Sequence, residues 1–427
     1  MIRAVVLLFF LGLISCSQKA FLKKEITRIE DQLQEHAGFA LYDPTAKKFL
    51  YQHQADKYFT PASNTKIFTL YTSMHLLGDS VVSLKYQKSN DTLYVQGMGD
   101  PSFLYHNVFD AQTTYQFLSS HSGVIALNSQ NFFTDRFGAG WAWDDYPYYY
   151  SPERSSLPVY GNLIRLGKDS LNRFSVQPPL FTDSVTTVPG SKNNSDPMRN
   201  LFNNRVTFYD YKKGPVGWEV PFHYSDSLLV KMLADTLHRP VIITNRKPDS
   251  SSNLLHNTPV DSVYRVMMQD SDNFIAEQLL LQCAAVLSDS LRPEIAIDYA
   301  KKNLFKDLPD EPQWVDGSGL SRFNLFTPRS VVKLWEKIGQ EVPQERLFKI
   351  VAIGGKPGTL KNWYKADTPY VFGKTGSLSN NHCLSGFVRT RKGRLLIFSF
   401  MHNNFVQPSR NVRVEMEKII NHIHEKY

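Results

Sequence analysis

Pro61-Ala62-Ser63-Asn64-Thr65-Lys66-Ile67-Phe68-Thr69-Leu70 places a serine and a lysine three residues apart, at the start of an apolar run. Positions i and i+3 of a helix share a face, so the Ser63 hydroxyl and the Lys66 amine are expected to meet there as nucleophile and base. Ile67, Leu70, Tyr71 and Met74 give that helix a buried side as far as about Leu77, and Gly78 stops it. A Ser-x-x-Lys run is common and by itself fits an ordinary helix surface. Its meaning depends on the rest of the chain.

Immediately before it, Gly38–Tyr42 and Lys48–Tyr51 flank an Asp43-Pro44-Thr45 turn, the pattern of a β-hairpin. Ile26, Ile29 and Leu33 keep helical spacing upstream of that hairpin. At the N-terminus, Arg3 and the apolar run Ala4 to Ile14 read as an export signal, too short for an ordinary transmembrane helix. Downstream, from about Val81 to Pro259, the texture changes to short strand-like runs, turns and aromatics, including Trp141-Ala142-Trp143-Asp144-Asp145-Tyr146 and Tyr148-Tyr149-Tyr150. Those rings suit carbohydrate stacking, and they suit turn packing more often. Ser191–Asp196 and Pro248–Asn253 read as polar loops.

Helical periodicity returns at Val263, Val266 and Met267 and leads to Ser271-Asp272-Asn273, a triplet that is also a frequent helix cap. Asp316-Gly317-Ser318-Gly319-Leu320-Ser321-Arg322 is a polar glycine loop. Next, Phe372-Gly373-Lys374-Thr375-Gly376-Ser377 precedes two β-rich runs, Leu384–Arg389 and Leu395–Met401, joined at Lys392-Gly393. The Gly-Lys-Thr is no phosphate loop, because the earlier glycine such a loop needs falls at Thr368 and the run leads into strands rather than a helix. A last helix carries Val412, Met416, Ile419, Ile420 and Ile423 on one side.

The 427 residues, 42% hydrophobic and 21% charged, suffice for two or more globular domains. The net charge of +8 is spread without a basic run, which argues against a nucleic-acid partner. No second apolar segment approaches the length that spans a bilayer. The 12 histidines offer no compact ligand set, so no metal and no cofactor is expected, and His422-x-His424 reads as solvent-facing. Cys283 and Cys383 sit in apolar surroundings that favour buried free thiols, with a disulfide left open.

Ser63-x-x-Lys66, Ser271-Asp272-Asn273 and Lys374-Thr375-Gly376, in that order and in those settings, resemble the signature of the penicillin-interacting serine enzymes. Within that group the chain is similar to the class C low-molecular-mass penicillin-binding proteins, D-alanyl-D-alanine carboxypeptidases and endopeptidases of the DacB type. The resemblance extends to Gly99-Asp100-Pro101, Gly140–Asp145, the Asp316–Arg322 loop and the stretch from Lys374 to Asn403. It implies an α+β fold: a transpeptidase/β-lactamase-like domain of residues 16–80 and 259–427, an antiparallel sheet beside a helical cluster. Residues 81–258 would be an inserted, mostly β module, somewhat shorter than is usual in the family.

By the same resemblance Ser63 is the nucleophile and Lys66 the general base, its pKa pushed down by burial and by Lys374. Ser271 relays the proton, Asn273 holds the substrate amide, and Lys374 and Thr375 meet the substrate's terminal carboxylate. Gly376 lets the substrate strand lie close, and the backbone N–H groups of Ser63 and Ser377 form an oxyanion hole. Asp145 and Arg322 match positions that recognise a diaminopimelic acid side chain, with capping or loop support as the competing explanation. Leu13-Ile14-Ser15-Cys16 resembles a lipobox, so residues 1–15 would be a lipoprotein signal peptide and Cys16 the lipidated residue of an exported, membrane-anchored, periplasmic protein. The partners implied are peptidoglycan stem peptides and β-lactam antibiotics. Two other functions share the motifs: a β-lactamase-like hydrolase, against which the long insert and the missing Glu-x-x-Leu-Asn run argue, and a catalytically silent envelope-binding lipoprotein, against which the intact motifs argue.

Overall fold

Largely buried runs of residues build a six-stranded sheet whose strands come from both halves of the chain. The computed structural model describes residues 2–110, 112–191, 196–211, 214, 216–249 and 251–427, with side chains in its first helix from residue 18 onward. Met1 and the Cys16 side chain therefore lie outside the described residues, as do 192–195 and 250 of the two polar tracts. By packing, the chain divides into one unit of residues 1–71, 267–271 and 299–427 and another of 72–266 and 272–298. The expected limits, 16–80 with 259–427 and 81–258, differ from this division chiefly at 272–298. Helix Asn273–Ser288 joins the second unit because its polar side chains serve that unit's backbone. Gln278 donates to the carbonyls of Gly99 and Ser155, Gln282 to that of Val82, and Glu277 pairs with buried Arg154.

In the first unit the hairpin His36–Asp43 and Lys48–His53 pairs with Leu395–Asn403, then Asn381–Arg389, Val371–Leu378 and the short Ala352–Ile353. All the pairings are antiparallel. Nearly every residue of the central strands is buried, because helices cover the sheet on both sides. One core holds Leu22, Ile26, Ile29 and Leu33 of the helix Ile2–Leu33 together with Val412, Met416, Ile419, Ile420 and Ile423 of the helix Ser409–Lys426. Apart from Leu22, both stripes are those read from the sequence. Shortening Ile420, fully buried among them, to alanine is expected to cost about 2–5 kcal/mol, measurable by urea unfolding.

His422 and His424 depart from the expectation that they face solvent. Phe21 stacks on His422 with centroids 3.7 Å apart, while His424 lies on Tyr370 and its Nδ1 faces the Arg389 carbonyl at 2.6 Å. Each ring is half-buried in a separate packing role. Among the described residues no group of three or more His, Cys, Asp or Glu is placed to hold a metal. No described helix is long and apolar enough to cross a membrane. Cys283 and Cys383 are free and buried, and burial pushes each thiol up to about 12.

The second unit contains a five-stranded sheet, two three-stranded sheets and the helices Thr113–Ser120 and Asp226–Leu237, besides Asn273–Ser288. Within the five-stranded sheet Ser80–Ser89 pairs antiparallel with Thr92–Gly97.

Candidate active site

Ser63 stands on a single 3-10 turn, Ala62–Thr65, that opens into the helix Lys66–Leu76. In a 3-10 turn residues i and i+3 eclipse, which brings serine and lysine closer to register than an α-helix would. Lys66 Nζ donates to Ser63 Oγ at 2.9 Å. Lys66 is fully buried, and its amine also donates to the Ser318 carbonyl at 2.7 Å. Ala62, just before the nucleophile, holds a φ of 47°, a conformation L-residues rarely adopt, so the turn carries local strain.

The loop after Asp316 holds that turn in place. Buried Asp316 accepts from the N–H groups of Gly319 and Ser321 at 2.8 and 2.7 Å and from the Asn324 amide at 2.7 Å. This folds the loop so that Ser318 aims its carbonyl at Lys66. Gly319 is required twice over: its φ is 85°, and a Cβ there would fall 1.9 Å from the Ala62 carbonyl oxygen. Behind the turn, Phe68 packs against Phe305, Trp314 and Phe326, fixing the helix.

The second lysine lies on the strand Val371–Leu378. Lys374 Nζ donates to Ser271 Oγ at 2.8 Å and to the Thr375 carbonyl at 2.7 Å. Ser271 has a φ of 65°, which turns the chain sharply before Asp272. The capping signal in the triplet belongs to Asp272, whose carboxylate accepts from Ile275 N at 2.8 Å. Asn273 donates to the Tyr150 carbonyl at 2.8 Å. Asp145, on a 3-10 turn in the second unit, accepts from Tyr150 Oη at 2.7 Å, and Arg322 is exposed in the first unit.

Burial pulls the Lys374 ammonium well below the usual lysine range of 10.5; the Lys66 charge pulls it further and Asp270 opposes both. The structure thus shows a depressed pKa on Lys374, the second lysine of the site. Between the depressed folded value and 10.5 the unfolded chain binds more protons here than the folded one, so this lysine's contribution to stability rises with pH across that window. Lys374→Met is expected to flatten that rise in urea unfolding followed from neutral to alkaline pH.

Gly376 has a nearer reason than substrate approach. A Cβ there would meet the Pro61 carbonyl oxygen at 2.5 Å and Ser63 N at 2.9 Å, so only glycine lets the strand pass beside the nucleophile's own backbone. Among the described residues no strand pairs with the outer side of the strand beyond Gly373, leaving Lys374–Leu378 with an open edge. Ser377 Oγ lies 2.8 Å from His382 Nδ1 and accepts from Arg413 at 3.3 Å.

Several residues that position the site were not singled out in the sequence. Asn64, fully buried, donates to the Lys374 carbonyl at 3.1 Å and accepts from Ser385 Oγ at 2.5 Å, and Trp335 Nε1 donates to that hydroxyl at 2.9 Å. Asn64 thus bolts the Ser63 turn to the Lys374 strand. Asn64→Ala would take a donor from the Lys374 carbonyl and the acceptor from the Ser385 hydroxyl, and a loss of about 3 kcal/mol is expected by chemical denaturation, with slowed acylation. The only signal available beforehand was an amide inside an apolar run.

Two buried lysines, each bonded to a serine, one opening a helix and the other on a strand of the antiparallel sheet, define the chain as a serine peptidase. It belongs to the D-Ala-D-Ala carboxypeptidase 3 (S13) family, whose model matches residues 20–178 and 222–423. The chain is 22% identical to D-alanyl-D-alanine carboxypeptidase DacB of Haemophilus influenzae, covering 93% of this chain and 91% of that one. It is 24% identical to a D-alanyl-D-alanine carboxypeptidase of an Actinomadura species, over 91% and 82% of the two chains. In fold it matches the crystal structure of penicillin binding protein 4 from Haemophilus influenzae with a TM-score of 0.71 at 20% identity, over 92% of this chain and 97% of that one.

Proposed function

We propose that the protein is a penicillin-sensitive serine D-alanyl-D-alanine carboxypeptidase and/or endopeptidase that works on peptidoglycan stem peptides through a Ser63 acyl-enzyme. The observation that carries the residue assignment is the 2.9 Å bond from the buried Lys66 amine to Ser63 Oγ. A serine hydroxyl needs a base to take its proton, and a lysine shielded from water beside a second ammonium is suited to that work as the free amine.

As Ser63 Oγ attacks the D-alanyl carbonyl carbon, its proton passes to Lys66. The N–H groups of Ser63 and Ser377 receive the oxyanion, each worth about 3 to 4 kcal/mol at the transition state. Ser271, held by Lys374, relays the proton to the departing amine, and the C–N bond breaks. Water then attacks the ester, and Ser63 leaves with its proton restored. Lys374 and Thr375 receive the terminal carboxylate, Gly376 keeps the strand close, and Asn273 holds the substrate amide. Asp145 and Arg322 recognise the amine and carboxylate of diaminopimelic acid. A β-lactam ring, opened by the same attack, leaves Ser63 acylated.

The segments 16–80 and 259–427 form the catalytic domain in this reading, with 81–258 inserted. Residues 1–15 direct export, and Cys16 carries the lipid that anchors the protein at the periplasmic face of a membrane. Digestion of purified cell-wall fragments, with the products identified by mass, tests the reaction. Free D-alanine indicates carboxypeptidase action, and monomers released from cross-linked dimers indicate endopeptidase action. Neither product from active protein would refute the assignment, while fast turnover of penicillin would favour a β-lactamase. Alanine at Asp145 or Arg322 is expected to slow peptides bearing diaminopimelic acid relative to those without it; equal slowing of both overturns that role.

A further inference from the structure

The second unit contains a cavity of about 700 Å³, within the roughly 300–1,000 Å³ typical of small-molecule sites. Its floor is one face of the sheet formed by the strands Leu163–Lys168, Phe174–Gln177 and Val216–Pro221. The register sets Arg165 between Glu219 and Gln177, and Gly167 between Gly217 and Ser175. Alternation places these six residues on one face, while Ile164, Leu166, Val176 and Val220 of the other face are buried in the core.

Two glycines opposite one another in adjacent strands weaken a sheet, and such glycines commonly mark the close approach of something to the backbone. A Cβ at Gly167 would meet Ser175 Oγ at 2.9 Å, but one at Gly217 would meet nothing within 4 Å, so no described part of the protein fills the space that Gly217 leaves. The bare floor is bordered by groups already fixed in place. Arg165 Nε donates to Glu219 at 2.7 Å, and its guanidinium lies 4.9 Å from the Tyr105 ring centroid. Tyr148 and Tyr149 line another part of the cavity, Tyr149 being 62% exposed.

We propose that this cavity binds a neutral saccharide, a segment of the glycan strand to which the stem peptides of the proposed substrate are attached. The inference rests on the peptidoglycan reading for its biological ligand, and its chemistry comes from the cavity. Arg165 and Glu219 neutralise each other and Asp196 adds a single acidic group to the lining, which disfavours an anionic ligand, yet the pair still offers donors and acceptors for hydroxyl groups. A sheet face has its N–H and C=O groups committed to the ladder, so it lacks the backbone partners an extended peptide uses. Sugar hydroxyls need only side chains, which Gln177, Ser175 and the ion pair supply. A pyranose ring, flat and apolar on its faces, suits a glycine floor beside tyrosine rings.

The test titrates the full-length protein with chitotetraose, a neutral N-acetylglucosamine oligomer, by calorimetry. Saturable binding is expected for the wild type. Gly217→Phe, which puts a ring into the open space, is expected to weaken it at least about tenfold. Tyr149→Ala, at an exposed position that the fold does not require, is expected to weaken it several-fold. Covalent penicillin labelling and hydrolysis of a sugar-free D-alanyl-D-alanine peptide should keep wild-type rates in both variants. No binding by the wild type, binding indifferent to both substitutions, or displacement of the oligosaccharide by a sugar-free stem peptide overturns the site. Failure of penicillin to label the wild type would instead sink the acyl-enzyme reading, and the titration would still decide the cavity.

Discussion

Ser63→Ala is expected to abolish covalent labelling by fluorescent penicillin and to lower turnover of a D-alanyl-D-alanine peptide by about 10⁴-fold or more. The substitution removes the only atom that forms the ester, and no neighbour can replace it: Thr65 Oγ1 is tied to the Ala62 carbonyl at 2.8 Å, and Ser271 Oγ accepts from Lys374. Folding should survive, since the residue stands on a turn held by Asn64, Asp316 and the Phe68 cluster rather than by its own hydroxyl. Unfolding by urea and labelling by penicillin therefore separate the two effects. A variant that folds and is still labelled would place the nucleophile elsewhere.

Lys66→Met comes next in size. It replaces a fully buried amine by a side chain of similar length, so the acylation rate measures the loss of the base with little change in packing. Acylation by penicillin is expected to fall about 10³-fold or more, within the range for removal of a general base. The charge pair has a second consequence. The Lys66 ammonium is one of the two causes that hold Lys374 below 10.5, so in the variant Lys374 should titrate higher, while burial, the larger cause, keeps it depressed. Titration of Lys374 by isotope-edited NMR in the two proteins would read this shift. An unchanged Lys374 would mean that the two amines do not sense each other. Relief of the repulsion between two buried amines and loss of the donor to the Ser318 carbonyl oppose each other, so urea unfolding should find little net change in stability.

The three short motifs were legible because each carries its own chemistry within a few residues: a serine and lysine at one turn's spacing, a triplet before a helix, a lysine between glycines ahead of two strands. The stripes at Ile26, Ile29 and Leu33 and at Val412, Met416 and Ile419 were legible for a similar reason, since periodicity is a local property. Other features were hidden because their partners lie far apart in the chain. Nothing near Asn64 announces that its amide will reach the Lys374 carbonyl and Ser385. Nothing near Ser318 announces that its carbonyl will hold the Lys66 amine. The histidines at 422 and 424 were misjudged because polar residues near a C-terminus usually face water, whereas here rings from distant segments, Phe21 and Tyr370, pack on them.

The sequence by itself determined which side chains are available for acyl transfer and in what order they occur, because the reactivity of a hydroxyl or an amine is a property of the residue and its immediate spacing. Tertiary structure decided how those groups are set. It buried two lysines near enough for one charge to depress the other's pKa, placed Gly376 against the backbone of Ser63, and left Gly217 bare on a sheet face of the second unit. Each of these depends on strand register, loop closure and burial, which only contacts between distant parts of the chain can fix.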